Sequence, residues 1–252
     1  MKALLLSAVL CLVTTLSISA QTFNLPVSTT STVAEKAYQA ATYLGANLRL
    51  DAARMEIEKA LEADPDFFMA YVYATQVLVS DEQKASSIEK ALAIDPANFN
   101  EAEKIMRQQM EVWAKDPKAL PTEAMKALVT AYPTTPEAYE WAYLHAAFTE
   151  GNIPAAMAYA EKLIELDPYH PPVYNGMGYF YLGMKQMDKA QAAFEKYLEL
   201  APAEPNAYDS MGEYYMIVED YAKAAEYYDR AAALGMEASK ANADKARAMI
   251  KE

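Results

Sequence analysis

Six spaced positions near the end of this chain of 252 residues recur at a constant offset of 34 residues. A period of that length is typical of stacked-repeat proteins, in which each repeat is one supersecondary unit. Such arrays expose a long curved groove rather than a closed catalytic pocket. The first set comprises Tyr174, Met177, Gly178, Tyr181, Ala190 and Phe194, and the second comprises Tyr208, Met211, Gly212, Tyr215, Ala224 and Tyr228.

Each copy is predicted to contain two helices. The first four positions of a set are spaced 3, 1 and 3 residues apart, which places them on one face of a helix. The second helix of the first copy is predicted over 188–200, because Pro202 cannot continue it. A glycine inside a helix costs about 1 kcal/mol relative to alanine. Gly178 and Gly212 occupy the same position in the two repeats, which predicts that another backbone approaches the first helix closely there.

This pattern resembles the tetratricopeptide repeat (TPR) family. In that family a large residue, Leu-Gly and Tyr mark the first helix, Ala and then Phe or Tyr mark the second, and a proline closes the unit. The match covers residues 171–204 and 205–238, with Met177 and Met211 standing where leucine is usual. The resemblance implies an all-α fold, a right-handed superhelical solenoid of about six helix-turn-helix repeats.

Prolines at the ends of second helices set the register of the other repeats. Asp-Pro pairs end three of these helices in a similar way, and the final stretch, residues 239–252, is predicted to be a polar capping helix. The closing prolines are Pro65, Pro96, Pro133, Pro168 and Pro202. The predicted repeats, within a domain of 34–238, are 34–64, 65–96, 97–135, 136–170, 171–204 and 205–238.

The start of the chain has the pattern of a secretory signal peptide over residues 1–20. Lys2 supplies the positive charge, residues 3–16 are apolar but too short to span a bilayer, and cleavage is expected after Ala20. The only cysteine, Cys11, lies inside the apolar stretch, so a lipid anchor is disfavoured and the mature chain has no disulfide. Residues 21–33 are predicted to be a flexible linker, although Phe23 and Leu25 could dock on the first repeat.

The charge of the chain excludes some classes of partner. Removal of residues 1–20 leaves 21 basic and 35 acidic residues, a net charge of −14. A strongly acidic surface argues against nucleic acid and against anionic membrane surfaces. The signal-peptide pattern predicts a location in the bacterial periplasm or the medium, without an integral membrane segment in the mature chain.

The sequence contains no recognisable catalytic or metal-binding motif. The two histidines, His145 and His170, have no orienting partner in the sequence pattern, and a lone histidine does not indicate catalysis. His170 precedes Pro171 in a turn between repeats and is expected to be exposed. No cofactor and no metal site are predicted, and we expect the protein not to be an enzyme.

A groove lined by first helices is the expected site of partner binding, as the TPR resemblance implies. Aromatic side chains there would offer large contact area at a low entropic cost. The same rings could instead serve only to pack one repeat against the next. The site residues are predicted from the helix faces turned away from the recurring packing positions. They are Tyr73, Trp141, His145, Asn175, Tyr179 and Glu213, and the same faces include Tyr38, Thr42, Met69, Gln76 and Phe148.

Three functions are compatible with this pattern. The leading hypothesis is an exported scaffold that binds a protein or peptide through the groove. The first alternative is a glycan or cell-wall binding module in which Trp141 and Tyr179 form a stacking platform. The second is a hydrolase with an unrecognised site. The sequence identifies neither the partner nor the oligomeric state.

Overall fold

The computed structural model describes residues 23–250, so the predicted signal peptide at 1–20 lies outside the described residues. This part of the chain is built from α-helices and contains no β-strand. The helices are α1 (Thr32–Ala46), α2 (Leu50–Ala63), α3 (Phe68–Val77), α4 (Asp81–Ala93), α5 (Glu101–Lys115), α6 (Thr122–Ala131), α7 (Pro136–Leu144), α8 (Ile153–Leu166), α9 (Pro171–Gly183), α10 (Met187–Leu200), α11 (Pro205–Ile217), α12 (Tyr221–Ala233) and α13 (Ser239–Met249).

The helices form six consecutive pairs followed by a single helix, which confirms the predicted fold class. Each first helix packs against the second helix of its own repeat, from α1 with α2 to α11 with α12. Helix α13 packs on α12 and covers the last repeat. The second repeat has a short first helix, and a turn of π-helix, His145–Thr149, extends α7 in the fourth repeat.

A hydrogen bond that recurs from repeat to repeat explains why tyrosines and closing prolines share the period. The hydroxyl of Tyr174 donates to the carbonyl of Pro168 at 2.9 Å, and that of Tyr208 donates to the carbonyl of Pro202 at 3.0 Å. Tyr139 makes the equivalent bond to Pro133. Each tyrosine thereby fastens the start of a first helix to the end of the preceding second helix.

The glycine column is explained by a ring and not by a backbone, which corrects the sequence-based expectation. A Cβ atom added to Gly178 would lie 2.4 Å from the ring of Phe194, and one added to Gly212 would lie 2.7 Å from the ring of Tyr228. Both rings come from the second helix of the same repeat and are buried. The periodic glycine and the periodic aromatic residue are therefore the two halves of one contact.

The segment predicted to be a flexible linker is instead packed on the repeats over residues 23–31. The buried backbone N–H of Leu25 donates to Glu137 Oε2 at 2.5 Å, and the N–H and hydroxyl of Ser28 both donate to Glu103 Oε1. Composition suggested flexibility, because serine and threonine dominate this stretch. The prediction failed because buried carboxylates at the starts of α5 and α7 accept the segment's N–H groups.

Hydrogen bonds also join the first repeat to the fifth and sixth repeats. Asn47, in the turn after α1, accepts a hydrogen bond from the hydroxyl of Tyr197 on α10 at 2.7 Å. The Nδ2 of Asn206 on α11 donates to the same hydroxyl at 3.3 Å, and all three residues are buried. The first repeat is thus held against the fifth and sixth, and the curved groove is closed on one side.

The ring-against-glycine contact predicts opposite effects for two glycines of one helix. Gly178→Ala should lower the free energy of unfolding by about 1–3 kcal/mol, because Phe194 is buried and cannot move aside. Gly183→Ala should raise it by up to about 1 kcal/mol, because no atom beyond the adjacent residues and the local helix backbone lies within 4 Å of the added Cβ. Urea denaturation midpoints measure both, and equal stabilisation by the two substitutions would contradict the packing argument.

Candidate functional site

The first helices of four repeats converge on one open cavity of about 500 Å³. Its wall comes from the end of α1, the middle of α3, the second half of α7 with the π-turn, and α9. Contacts between rings connect the walls: Tyr73 of α3 lies 6.2 Å from Trp141 of α7, centroid to centroid. The hydrogen bond from the Tyr197 hydroxyl of α10 to Asn47 fixes the end of α1 beside this cavity.

Five of the six predicted site residues line this cavity together. They are Tyr73, Trp141, His145, Asn175 and Tyr179. Glu213 lies outside it on α11, where it accepts a hydrogen bond of 2.6 Å from the Tyr179 hydroxyl. Two other residues of the predicted faces, Tyr38 and Met69, are buried in the core. The Tyr38 hydroxyl donates a hydrogen bond to Glu137 of α7, and Met69 packs in the same core cluster.

In the part of the wall that belongs to the first repeat, the sequence predicted Thr42 but not the residues that follow it at the end of α1. Gly45 and Ala46, at the end of α1, and Leu48, in the turn between α1 and α2, line the cavity. Leu48 has a φ of 61° and is 58% exposed, so an apolar side chain occupies a left-handed position where glycine is favoured. Phe148, on the π-turn, is 74% exposed at the same mouth. Phe148 was on a predicted face, but Gly45, Ala46 and Leu48 were not, because the contact between repeats distant in sequence leaves no 34-residue period.

His145 is an uncharged part of the wall. It is buried, its ring lies 6.1 Å from that of Trp141 and 6.4 Å from that of Trp113, and its Nδ1 lies 3.3 Å from Thr149 Oγ1. Burial lowers the pKa of His145 to about 4. The imidazole is therefore neutral at pH 7, and no carboxylate orients it for catalysis.

His170 is buried rather than exposed, so the prediction for this residue was wrong. Its Nε2 lies 2.7 Å from Glu140 Oε1, and both side chains are buried. Burial alone would lower the pKa of His170, but the charge and hydrogen bond of Glu140 outweigh it and raise the pKa above the ordinary value. Glu140 also lines the cavity, so the hydrogen bond to His170 engages a carboxyl group of the wall.

Asn175 is the polar residue of the wall with an unmet hydrogen-bonding need. It is 7% exposed, and its Oδ1 has no partner in the part of the chain that the structure describes. A buried amide oxygen without a donor costs about 1–3 kcal/mol. Tyr179 nearby is satisfied, because its hydroxyl bonds to Glu213 and to Ser210.

Metal-binding groups and membrane-spanning helices are two further features that bear on the function of this chain. Over 23–250 there is no group of three or more His, Cys, Asp or Glu residues placed to hold a metal ion. Within the same range no helix combines the length and the apolar character needed to cross a membrane. The cavity wall offers aromatic and aliphatic surface with isolated polar groups, an arrangement suited to binding.

Comparison with known proteins agrees with this architecture. Residues 147–213 match the sequence model of the tetratricopeptide repeat family. The fold is that of a TPR solenoid. Stacked-repeat folds of this kind present extended concave surfaces. No curated protein matches the chain.

Solved structures with low sequence identity share the fold. A tetratricopeptide repeat protein from Parabacteroides merdae is 16% identical, with a TM-score of 0.52 over 85% of this chain and 84% of its own. The APC/C hetero-tetramer Cut9-Hcn1 gives 15% identity and a TM-score of 0.51 over 84% of this chain and 42% of that chain. At identities this low, the likeness concerns the arrangement of the helices alone.

The buried neutral His145 predicts a pH-dependent loss of stability in acid. Its pKa is depressed from 6.5 to about 4 in the folded chain, so the unfolded chain binds more protons between these values. Relative to His145→Phe, which keeps a ring at this position, the wild type should lose about 3 kcal/mol of unfolding free energy as the pH falls from 6.5 to 4. Denaturation of both proteins across this range measures the difference, and a constant difference would contradict a buried neutral imidazole.

Proposed function

We propose that this protein is an exported scaffold that binds a protein partner through the cavity on the concave face of its TPR-type solenoid. One observation carries the proposal. Residues from four repeats, which a simple array would spread along a groove, converge on one open and largely apolar space. Exposed apolar side chains at its mouth, Leu48, Phe148 and Tyr179, would be buried by an incoming chain.

The character of the wall supports a protein partner more than a sugar. A glycan platform requires an open ring face, but Trp141 is only 6% exposed and lies among Tyr73, His145 and Glu137. Apolar contact with few polar groups is instead typical of the centre of a protein interface, where aromatic anchors dominate the binding energy. The acidic surface would then affect the rate at which the partner associates, and it would not contribute contacts inside the cavity.

Site-specific photocrosslinking in the host cell tests this proposal. Benzoylphenylalanine replaces Phe148 at the mouth of the cavity or, as a matched control, Tyr169, which is 75% exposed in the turn between α8 and α9. Both positions carry an exposed aromatic side chain, so neither replacement should disturb the fold. We expect a discrete protein adduct from position 148 and none from position 169. Crosslinking from 169 alone, or from neither position in cells that export the protein, would contradict a partner at the cavity.

Export is proposed from the pattern of residues 1–20 and is tested by intact-mass measurement. Protein recovered from the periplasm or the medium should begin at Gln21, because the apolar stretch and the small residues before Gln21 define a cleavage site. A variant with Leu5→Arg and Leu6→Arg should remain uncleaved in the cytoplasm. Recovery of a chain that retains Met1 from the exported fraction would overturn cleavage.

A further inference from the structure

The hydrophobic core of the solenoid is divided within helix α7. The buried apolar residues of 25–142 form one cluster, and those of 143–246 form separate clusters. We call these two ranges the first half and the second half. The π-turn at His145–Thr149 follows directly after the boundary. Helices bend at turns of this kind, so the boundary has the geometry of a hinge.

The cavity lies between the two halves. The first half contributes α1 and α3 to its wall, the second half contributes α9, and α7 stands at the junction. Apolar contacts hold the halves together near α7, because Tyr159 packs against the clusters of both. The N-terminal segment adds to them, with Leu25 in the first cluster and Phe23 packed against the second. Motion about such a junction would change access to the cavity.

Away from α7 the two halves meet through polar contacts, which we call the latch. The Tyr197 hydroxyl donates to Asn47 at 2.7 Å and accepts from Asn206 at 3.3 Å, and Arg49 lies 3.9 Å from Glu204. Among the described residues, the hydrophobic cluster that contains Tyr197 includes none from the first half. Hydrogen bonds exchange with bonds to water at a small net cost, so the latch opens more easily than either core.

The closed latch also contains two unfavourable features. Glu204 is buried, and its Oε1 has no partner in the part of the chain that the structure describes. Burial raises the pKa of the Glu204 carboxyl, although the charge of Arg49 lowers it. Leu48, between Asn47 and Arg49, has a φ of 61°, a backbone conformation that is strained for leucine. Opening would return the carboxylate to water, which favours the open state.

We propose that the solenoid opens at the latch by rotation of its two halves about the π-turn of α7, and that opening admits the partner to the inner wall of the cavity. The inner wall residues Trp141, His145 and Asn175 are buried in the closed form. Leu48 links the two events, because it lines the cavity within the turn that carries the latch. The motion belongs to the free protein, and its role in binding rests on the proposed scaffold function.

Distances between pairs of spin labels, measured by double electron–electron resonance, test the motion. Cys11→Ser removes the native cysteine of the chain, and labels are attached to cysteines placed at exposed positions. The pair at Met55 on α2 and Ala192 on α10 joins the two halves. The pairs Met55 with Lys104 and Ala192 with Lys240 lie within the first and the second half. We expect a second, longer distance from the joining pair and one distance from each of the others.

Two variants open the latch. Tyr197→Phe keeps the buried ring but loses the hydroxyl, so it should raise the ratio of the longer to the shorter distance about three- to tenfold. Arg49→Ala changes a half-exposed side chain and should raise this ratio too, because Glu204 then remains buried without a counter-charge. Tyr174→Phe is the matched control, because its hydroxyl bonds within the second half, to Pro168, and the ratio should not change.

The outcomes separate this inference from the scaffold proposal. Identical distance distributions in the wild type and in both latch variants, with folding verified by thermal unfolding, would overturn the motion. Changed distances within either half would overturn a hinge at α7. A protein adduct from position 148 with fixed distances would leave the scaffold function standing, whereas a shift without an adduct would leave only the motion.

Admission of the partner is measured in the host cell by the yield of the adduct from position 148. This yield should rise in Tyr197→Phe and stay unchanged in Tyr174→Phe, because a larger open fraction raises the apparent affinity. An unchanged yield in Tyr197→Phe, with the longer distance enriched, would overturn the role of the latch in binding.

Discussion

The contact between a ring and a helical glycine determines how closely the helices of a repeat approach, and the candidate site depends on that spacing. Phe194 lies against Gly178 within its own repeat. The same ring is 5.1 Å from Tyr179 and 6.4 Å from Tyr214 of the next repeat, centroid to centroid. One buried side chain therefore fixes the pairing of two helices, their stacking on the following repeat, and the position of Tyr179 at the cavity.

The tie between the two ends of the array makes a cavity out of what would otherwise be a groove. In a simple solenoid each repeat contacts only its neighbours. Here Asn47 of the first repeat reaches Tyr197 of the fifth, 150 residues away in sequence, and the bond is fully buried. The cavity is lined by side chains of α1, α3, α7 and α9, which belong to repeats that are not all adjacent in sequence.

Local and periodic signals predicted the fold, and interactions without a period escaped prediction. The 34-residue recurrence indicated the helix pairs, and five of the six site residues predicted from the opposite helix faces line the cavity. The pairing of His170 with Glu140 and the docking of residues 23–31 depend on buried contacts between distant segments. Such contacts leave no pattern in one sequence, because a buried glutamate and an exposed one look alike until the curvature is known.

The N-terminal segment and the cavity share one buried carboxyl group, which links the start of the folded chain to the shape of the site. Glu137 accepts from the Leu25 N–H through one oxygen, and from Tyr38 and Trp141 through the other. Burial raises the pKa of Glu137 to about 7, and the three donors offset part of that effect. Trp141 is oriented by the carboxyl that the segment covers. Residues 23–31 thus support the cavity wall from behind while leaving its mouth, at Leu48 and Phe148, open to a partner.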